Sequence, residues 1–156
     1  MDATRLQWRA LAFEALTTAE LYRALRLRSA VFVVEQSCAF QDLDGLDAVA
    51  VHLLGESLDA ETNGQLLAYA RLLPAGAAFA EASIGRVVTS SAARGSGLGH
   101  RLMIEAIAEL HRCWGVQPIR IGAQAHLQSY YGQCGFVPRG DIYLEDGIDH
   151  IEMVRA

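Results

Sequence analysis

Short apolar runs bounded by turn residues predict a series of β-strands along the chain. The predicted strands span residues 6–13, 49–54, 66–73, 84–89, 119–123, 136–138, 142–145 and 150–154. A turn around residues 59–64 separates the second strand from the third, and the fourth carries the β-branched pair Val87 and Val88. Three strands follow one another with no helix between them, which excludes a simple doubly wound parallel sheet.

Three helices are predicted between the strands, at residues 17–31, 97–114 and 126–134. Thr17 and Glu20 fit a capping box at the start of the first helix. The second helix is strongly amphipathic, and its apolar face consists of Leu102, Met103, Ala106, Ile107, Leu110 and Trp114. Gly135 is expected to stop the third helix.

With the neighbouring segments 136–138 and 142–145 taken as one position, the resulting element order is β-α-β-β-β-α-β-α-β-β. This order favours an α+β fold in which helices flank a mixed sheet. No repeat, linker or low-complexity stretch interrupts the chain, so residues 1–156 are predicted to form one domain. No apolar run approaches the roughly 20 residues that cross a bilayer, and Met1 to Arg5 do not resemble a signal peptide. We therefore expect a cytoplasmic protein without a membrane segment.

The charged residues exclude several classes of function. The net charge is −5, which argues against nucleic acid as a partner. All 13 basic residues are arginine, so mechanisms that need an internal lysine, such as Schiff bases or the P-loop, are excluded. Three widely spaced cysteines and five histidines without ligand spacing predict neither a disulfide framework nor a metal site.

A glycine-rich segment, Arg94-Gly95-Ser96-Gly97-Leu98-Gly99, lies between a β-branched strand and the long amphipathic helix. Glycines let the backbone approach a ligand, and free N–H groups at a helix start attract a diphosphate. His100 stands where a dinucleotide fingerprint needs glycine, and Arg94 stands where a hydrolase elbow needs glycine. The segment resembles the R/Q-x-x-G-x-G/A signature of the GCN5-related N-acetyltransferase family.

A second motif strengthens the resemblance. Tyr130-Tyr131-Gly132-Gln133-Cys134-Gly135-Phe136 is similar to the family's F/Y-Y-x-x-x-G-F segment, at the expected distance from the glycine loop. The stretches 27–36, 41–45, 84–87 and 122–127 resemble its ElaA-like branch. The resemblance implies a mostly antiparallel mixed sheet flanked by helices, with the fourth and fifth strands splayed around acetyl-CoA.

The resemblance also implies roles for particular residues. Tyr131 would donate a proton to the departing thiolate, as the catalytic acid. Acetyl-CoA would be held by Val87, Val88, Thr89, Arg94, Gly95, Ser96, Gly97, Leu98, Gly99, His100 and Gln124. The first three would offer backbone groups to the pantetheine arm and thioester, and the residues from Gly95 to His100 would hold the diphosphate. Gln124 and Ser91 depart from the asparagine and proline that are common in the family.

The acceptor end is less defined by the sequence. Glu35 follows the first helix and is the first candidate for the base that deprotonates the amine. Glu145, Asp146 and His150 form a second cluster of candidate bases, and His126 is another. A loop is predicted over residues 35–47. Acids in this loop and near the C-terminus are candidates for an electronegative mouth that attracts a cationic amine: Asp42, Asp44, Asp47, Asp146 and Asp149.

The sequence thus predicts an acetyl-CoA-dependent N-acetyltransferase that acts in a ternary complex on a small-molecule or peptide amine. Arg28-Ser29-Ala30-Val31-Phe32 followed by an acidic loop also resembles acyl-homoserine-lactone synthases, which share the superfamily fold. A third alternative, which is not an enzyme, is a non-catalytic acyl-CoA-binding or regulatory module. Such a module would not need Tyr131 as a proton donor. The resemblance to the family also leads us to expect a homodimer.

Overall fold

The computed structural model describes residues 5–156 and, within them, seven strands and three α-helices in the predicted order. The strands are β1 (Leu6–Ala12), β2 (Val51–Ser57), β3 (Leu66–Leu73), β4 (Ser83–Thr89), β5 (Ile119–Gln124), β6 (Val137–Glu145) and β7 (Ile148–Arg155). The helices are α1 (Thr18–Arg28), α2 (Leu98–Trp114) and α3 (Gln128–Gly132). Residues 1–4, part of the stretch used to predict the absence of an export signal, lie outside this description. Among residues 5–156, every helix is too short or too polar to cross a bilayer.

The strands form two sheets that meet at one point. β1, β2, β3 and β4 make an antiparallel sheet in that order, and β5, β7 and β6 make a second antiparallel sheet. A parallel bridge between Ala82 and Ile119 joins the sheets, and the Arg120 N–H donates to the Ala82 carbonyl at 2.9 Å. Beyond this bridge β4 and β5 belong to separate sheets and diverge toward Thr89 and Gln124. The predicted mixed, mostly antiparallel architecture with splayed fourth and fifth strands is confirmed.

Helix α2 covers one face of both sheets with its apolar stripe. Leu102, Met103, Ala106 and Leu110 on this stripe are completely buried, as their spacing of three and four residues predicts. They belong to one core cluster with strand residues of both sheets, including Leu53, Ala68, Ile84, Ile121 and Met153. Because a buried leucine side chain contributes about 2 kcal/mol to stability, α2 fastens the two sheets together where hydrogen bonds do not.

Helix α1 packs on the opposite face of the first sheet, where Ala24 joins Tyr69 and Val88 in a second core cluster. The predicted capping box is present at its N-terminus. The Glu20 N–H donates to the Thr17 hydroxyl at 3.1 Å, and the Thr17 N–H donates to the Glu20 carboxylate at 2.8 Å. The motif therefore fixes where the helix begins.

The prediction that this helix ends near Val31 is wrong, whereas the predicted loop does follow Glu35. The chain continues as a π-helix over Ser29–Glu35, and the Gln36 N–H donates to the Val31 carbonyl at 3.1 Å. A β-branched run is a poor helix former, but burial of Val31 and packing of Phe32 against the second core cluster hold this segment in helical form. Such wide turns occur frequently at functional sites, and this one ends at the gap between the sheets.

The C-terminal strands also differ from the prediction. Residues 136–138 and 142–145 were predicted as separate strands, but all of these residues except Phe136 fall in the continuous strand β6. The pairing with β7 shifts register between Arg139 and Tyr143, which marks a bulge. Gly140 lies in this bulge with a φ of +83°, a left-handed conformation that glycine adopts without strain. The residues between the two predicted strands therefore form a bulge within one strand.

Two further elements begin later in the chain than predicted. Strand β2 begins at Val51 because Asp47–Val49 forms a 3₁₀ turn. The predicted helix 126–134 is divided into a 3₁₀ turn over Ala125–Leu127 and the five residues of α3. This division places two consecutive tyrosines of α3 at the end of β5, beside the gap between the sheets.

Candidate active site

A cleft of about 690 Å³ opens where β4 and β5 diverge. Its walls include residues of β4, β5, β7, the π-helix and α3. Predicted site residues that line it are Glu35, Val87, Val88, Thr89, Arg94, Gly99, Gln124 and Tyr131. The other predicted residues lie beside this wall, in the loop and first turn of α2: Gly95, Ser96, Gly97, Leu98 and His100. The splay thus brings both sequence motifs to one opening.

Strand β4 carries a bulge within the cleft wall. The β3–β4 ladder places Arg86 and Val87 together opposite Ala70. Arg86 has a φ of 50°, a left-handed conformation that costs a non-glycine residue on the order of 1–3 kcal/mol. Its guanidinium offsets that cost by donating from Nε to the Asp42 carboxylate at 2.7 Å. A bulge leaves backbone groups outside the ladder, so those near Val87 are available to a ligand in the cleft.

The glycine loop presents free backbone donors at the start of α2. Gly97 is the residue before the helix, with a φ of 75°, and no side chain caps the helix start. The first N–H groups of an uncapped helix lack partners within the helix and favour an anion. A side chain added at Gly95 or Gly97 would meet no atom within 4 Å, so the space around both is open. The loop therefore fits a diphosphate group.

Arg94 lies at the mouth of the cleft between this loop and the π-helix. Its Nη1 donates to the Glu35 carboxylate at 2.6 Å, and its Nη2 donates to the Thr89 carbonyl at 3.3 Å. Both side chains of the ion pair are about 40% exposed, at 40% for Arg94 and 43% for Glu35. The predicted coenzyme ligand Arg94 and the predicted base Glu35 therefore contact each other.

Tyr130 and Tyr131 bring the second motif against the first. The Tyr130 hydroxyl donates to the Gly99 carbonyl at 2.6 Å, which ties α3 to the first turn of α2. Tyr131 is buried, and its ring meets Tyr130 edge-on with 4.8 Å between ring centroids. Burial, with a smaller effect of Cys134, raises the pKa of Tyr131 to about 12. The Tyr131 side chain therefore keeps its proton throughout the neutral range.

Three arginines and three aspartates form a network beside the cleft, here called the arginine–aspartate network: Arg28, Arg71, Arg86, Asp42, Asp44 and Asp47. Arg28 is completely buried and donates to Asp42 at 3.0 Å and to Asp47 at 2.8 Å. Arg71 donates from both Nη atoms to Asp44, at 2.7 and 2.8 Å. The network anchors the loop after the π-helix to β3, β4 and α1.

The network corrects the idea of an electronegative mouth. Asp42, Asp44 and Asp47 are each bound to two arginines, so their charges are neutralised and the prediction is wrong for these three residues. Although burial acts in the opposite direction, the hydrogen bond from Arg71 holds the pKa of Asp44 below its usual value. Burial and the hydrogen bond from Arg28 oppose each other in the same way at Asp47, and its pKa is also lowered.

The sequence held a signal for this network. Arg71 stands in the strand Leu66–Leu73, which is otherwise apolar and entirely buried. An arginine in a buried strand needs an acidic partner, because an unpaired buried charge is strongly destabilising. A search for that partner would have pointed to the aspartates of the 35–47 loop.

The second wall of the cleft contains a histidine cluster formed by Tyr143, Glu145 and His150. The His150 Nδ1 lies 2.7 Å from the Ile148 carbonyl, and its Nε2 lies 3.6 Å from the Glu145 carboxylate. The Tyr143 ring stacks on the imidazole with 5.8 Å between centroids. The predicted group of Glu145, Asp146 and His150 thus lines the same cleft as Tyr131.

The chain is similar in sequence to known proteins over most of its length. A profile of the acetyltransferase (GNAT) domain matches residues 47–156. The chain belongs to the GNAT family. Protein ElaA of Escherichia coli K12, similar to this GNAT chain, is 42% identical over 152 residues, which cover 96% of each chain. The crystal structure of Escherichia coli ElaA superposes with a TM-score of 0.88, over 97% of this chain and 100% of the other. The predicted ElaA-like branch is confirmed.

Two other solved structures resemble this GNAT chain. An acyl-CoA N-acyltransferase from Pseudomonas aeruginosa is 50% identical, with a TM-score of 0.89, over 97% of this chain and 100% of that one. A CoA-dependent acyl-homoserine lactone synthase, BjaI, has a TM-score of 0.76 at 18% identity, over 96% and 82% of the two chains, and shares the fold alone. GNAT proteins bind acyl-CoA, so family membership supports acyltransferase activity for this chain.

Proposed function

We propose that this protein transfers the acetyl group of acetyl-CoA to a primary amine of a small molecule or peptide. The observation that carries the proposal is the hydrogen bond from Tyr130 to the Gly99 carbonyl at 2.6 Å. This hydrogen bond joins the end of the glycine loop to the helix that bears Tyr131, the proposed proton donor. A donor-binding element and a catalytic element thus share one cleft between splayed strands.

The cleft supports an extended binding site for acetyl-CoA. Its diphosphate would lie on the N–H groups from Gly95 to His100, with Arg94 supplying charge-assisted hydrogen bonds. The pantetheine arm would follow the backbone of Val87, Val88 and Thr89 and pass Gln124 at the end of β5. A backbone N–H near the β4 bulge would stabilise the oxyanion that forms when the amine attacks the thioester.

Tyr131 is suited to assist departure of the coenzyme thiolate. With a pKa raised to about 12 by burial, the phenol is protonated when the carbon–sulfur bond breaks. Its hydroxyl has no hydrogen-bond acceptor among residues 5–156, so it is available to the sulfur. A thiol in water has a pKa of about 8.5, so donation from this phenol requires that the thiolate is also desolvated in the cleft.

Glu35 as the base stays a prediction, and its carboxylate must first separate from Arg94 to act on an amine. The cytoplasmic location, the homodimer, and the absence of a metal and of nucleic acid as a partner also stay predictions. Acyl-homoserine-lactone synthesis and non-catalytic acyl-CoA binding are the alternatives that an assay must distinguish.

Turnover of acetyl-CoA against a panel of amines tests the proposal, with release of free thiol as the readout. The panel contains polyamines, amino acids, antibiotic amines and peptides, and longer acyl-CoA donors are run in parallel. We expect turnover with one class of amine and a decrease of roughly 10²-fold or more in kcat for Tyr131→Phe, with unchanged binding of acetyl-CoA. The matched control is Tyr22→Phe, which removes a phenol from a side chain that is 70% exposed.

Three other results would contradict the proposal, and each concerns a different part of it: catalysis, the acetyl donor or the role of Tyr131. Binding of acetyl-CoA without turnover on any amine would favour the non-catalytic module. Turnover only with longer acyl donors would favour the acyl-homoserine-lactone synthase alternative. A Tyr131→Phe variant as active as Tyr22→Phe would remove Tyr131 from the chemistry.

A further inference from the structure

His150 lies on the face of the second sheet that is turned away from α2. It pairs with Gln124 of β5 and with Tyr143 of β6. Its neighbours along β7, Ile151 and Met153, belong to the core cluster beneath α2. Because alternate residues of a strand point to opposite faces, the histidine faces the cleft rather than that core. It is 8% exposed and lines the cleft together with Tyr131.

The hydrogen bonds of His150 define which ring nitrogen is free. Nδ1 lies 2.7 Å from the Ile148 carbonyl, and a carbonyl oxygen can only accept. In the neutral ring Nδ1 therefore carries the hydrogen, and Nε2 holds a lone pair. The stacked Tyr143 ring and the Ile148 carbonyl fix the plane of the imidazole. The result is a positioned proton acceptor in a cleft wall.

We propose that His150 is the general base that takes the proton from the acceptor amine, with Tyr143 and Glu145 as positioning residues. The proposal rests on the proposed function and identifies which residue of the same cleft deprotonates the acceptor. Glu145 lies 3.6 Å from Nε2, where a carboxylate stabilises the imidazolium after proton uptake. Glu35 is less suited to the task in this arrangement, because its carboxylate accepts a hydrogen bond from Arg94 at 2.6 Å.

The proton balance needs both walls of the cleft. The ammonium form of the acceptor transfers one proton to His150 Nε2 before its nitrogen lone pair attacks the thioester carbonyl. The carbon–nitrogen bond then forms, the nitrogen releases its second proton to solvent, and the carbon–sulfur bond breaks. Tyr131 donates its proton to sulfur and regains one from solvent or from the imidazolium. The products are the amide, the free thiol of coenzyme A and one released proton.

Side chains from both neighbouring strands surround the His150 imidazole. Tyr143 and Glu145 face it from β6, and Gln124 faces it from β5. Asp146 in the following turn lines the same cleft, and its carbonyl accepts a hydrogen bond from the Cys38 thiol at 3.3 Å. A proton on Nε2 would lie beside the Glu145 carboxylate, and it would occupy the lone pair that the reaction requires.

His150→Asn is the test substitution, because asparagine keeps an N–H donor for the Ile148 carbonyl and removes Nε2. We expect kcat to fall by about 10²-fold or more at pH 7, with acetyl-CoA binding unchanged. The loss should shrink as pH rises, because a larger fraction of the amine is then neutral without a base. Added imidazole should restore part of the activity, which a merely structural role would not explain. His111→Asn on α2 is the matched control.

The outcomes separate this proposal from the proposed function. Wild-type protein that turns over no amine would count against the function itself. Wild-type turnover with an unchanged rate and pH profile in His150→Asn would overturn the base alone. A second variant, His150→Gln, covers the case in which the asparagine variant does not fold, as monitored by thermal unfolding and acetyl-CoA binding. If Glu35→Gln abolishes the acid limb of the pH profile and both His150 variants retain it, the base is Glu35.

Discussion

The Glu35 carboxylate lies 2.6 Å from Nη1 of Arg94, so the predicted base and the predicted diphosphate ligand form an ion pair. The contact joins the end of the π-helix to the residue that begins the glycine loop. Because Arg94 also donates to the Thr89 carbonyl, its side chain is held at the mouth of the cleft. A diphosphate that binds Arg94 therefore competes with Glu35 for the same guanidinium.

Glu35→Gln is expected to tighten acetyl-CoA binding by up to about fivefold. An exposed ion pair contributes at most about 1 kcal/mol, and the substitution removes both the competitor and a negative charge near the diphosphate. Calorimetric titration of acetyl-CoA measures the effect, with Glu14→Gln as the control at an exposed site. Weaker binding by Glu35→Gln would show that the carboxylate supports the coenzyme rather than competing with it.

Acetyl-pantetheine provides a matched ligand for the same titration, because it lacks the diphosphate. We expect its affinity to be the same in wild type and Glu35→Gln. An equal gain for both ligands would place the effect of Glu35 elsewhere in the cleft.

Asp47→Asn is expected to destabilise the protein by about 3–5 kcal/mol. Asp47 accepts from Arg28 at 2.8 Å and from Arg71 at 3.1 Å, and both arginines are buried. Removal of one partner from a buried ion pair leaves charge without compensation. Urea unfolding measures the loss, and Asp149→Asn at an exposed position should stay within about 0.5 kcal/mol of wild type. Equal stability of the two variants would contradict the structural role of the network.

Stability should fall in acid in two stages. Burial lowers the pKa of His52 below its ordinary 6.5, so the unfolded chain takes up a proton first and stability decreases below about pH 6.5. Asp44 and Asp47 have lowered pKa values in the folded state, so their contribution is complete above the ordinary 3.8 and is lost below it. Urea midpoints from pH 8 to pH 3 should show both stages.

The variant His52→Gln isolates the first stage. Its side chain cannot titrate, so the decrease that begins near pH 6.5 should disappear while the decrease below pH 4 persists. Unchanged midpoints of wild type between pH 7 and pH 5 would show that His52 has the same pKa in the folded and the unfolded protein.

Strong periodicity explains why much of the fold could be predicted from the sequence. The strand Leu66–Leu73 has the predicted bounds, and α2 begins one residue after its prediction. Both elements bury a continuous apolar surface, which leaves few alternatives for the local pattern. The glycine loop was also predictable, because its residue types follow from backbone geometry rather than from distant partners.

The remaining features depend on contacts between distant segments. The π-helix forms because Val31 and Phe32 pack in a cluster with residues of β2, β3 and β4, which come later in the chain. Arg28 and Asp42 pair only after the loop has folded back over α1. The face of β7 that carries His150 is fixed by its register with β5, which a local pattern does not contain. Tertiary pairing therefore determines the acceptor side of the cleft.

The divergence of β4 and β5 also has a consequence for the behaviour of the protein in solution. Each strand is the edge of its own sheet, and beyond Ala82 and Ile119 the two edges face each other across the cleft. An open edge can pair with a strand of another molecule, which is a common first step of aggregation. Coenzyme that occupies the cleft would cover both edges, so a cellular pool of acyl-CoA would act as a folding stabiliser and a safeguard against self-association.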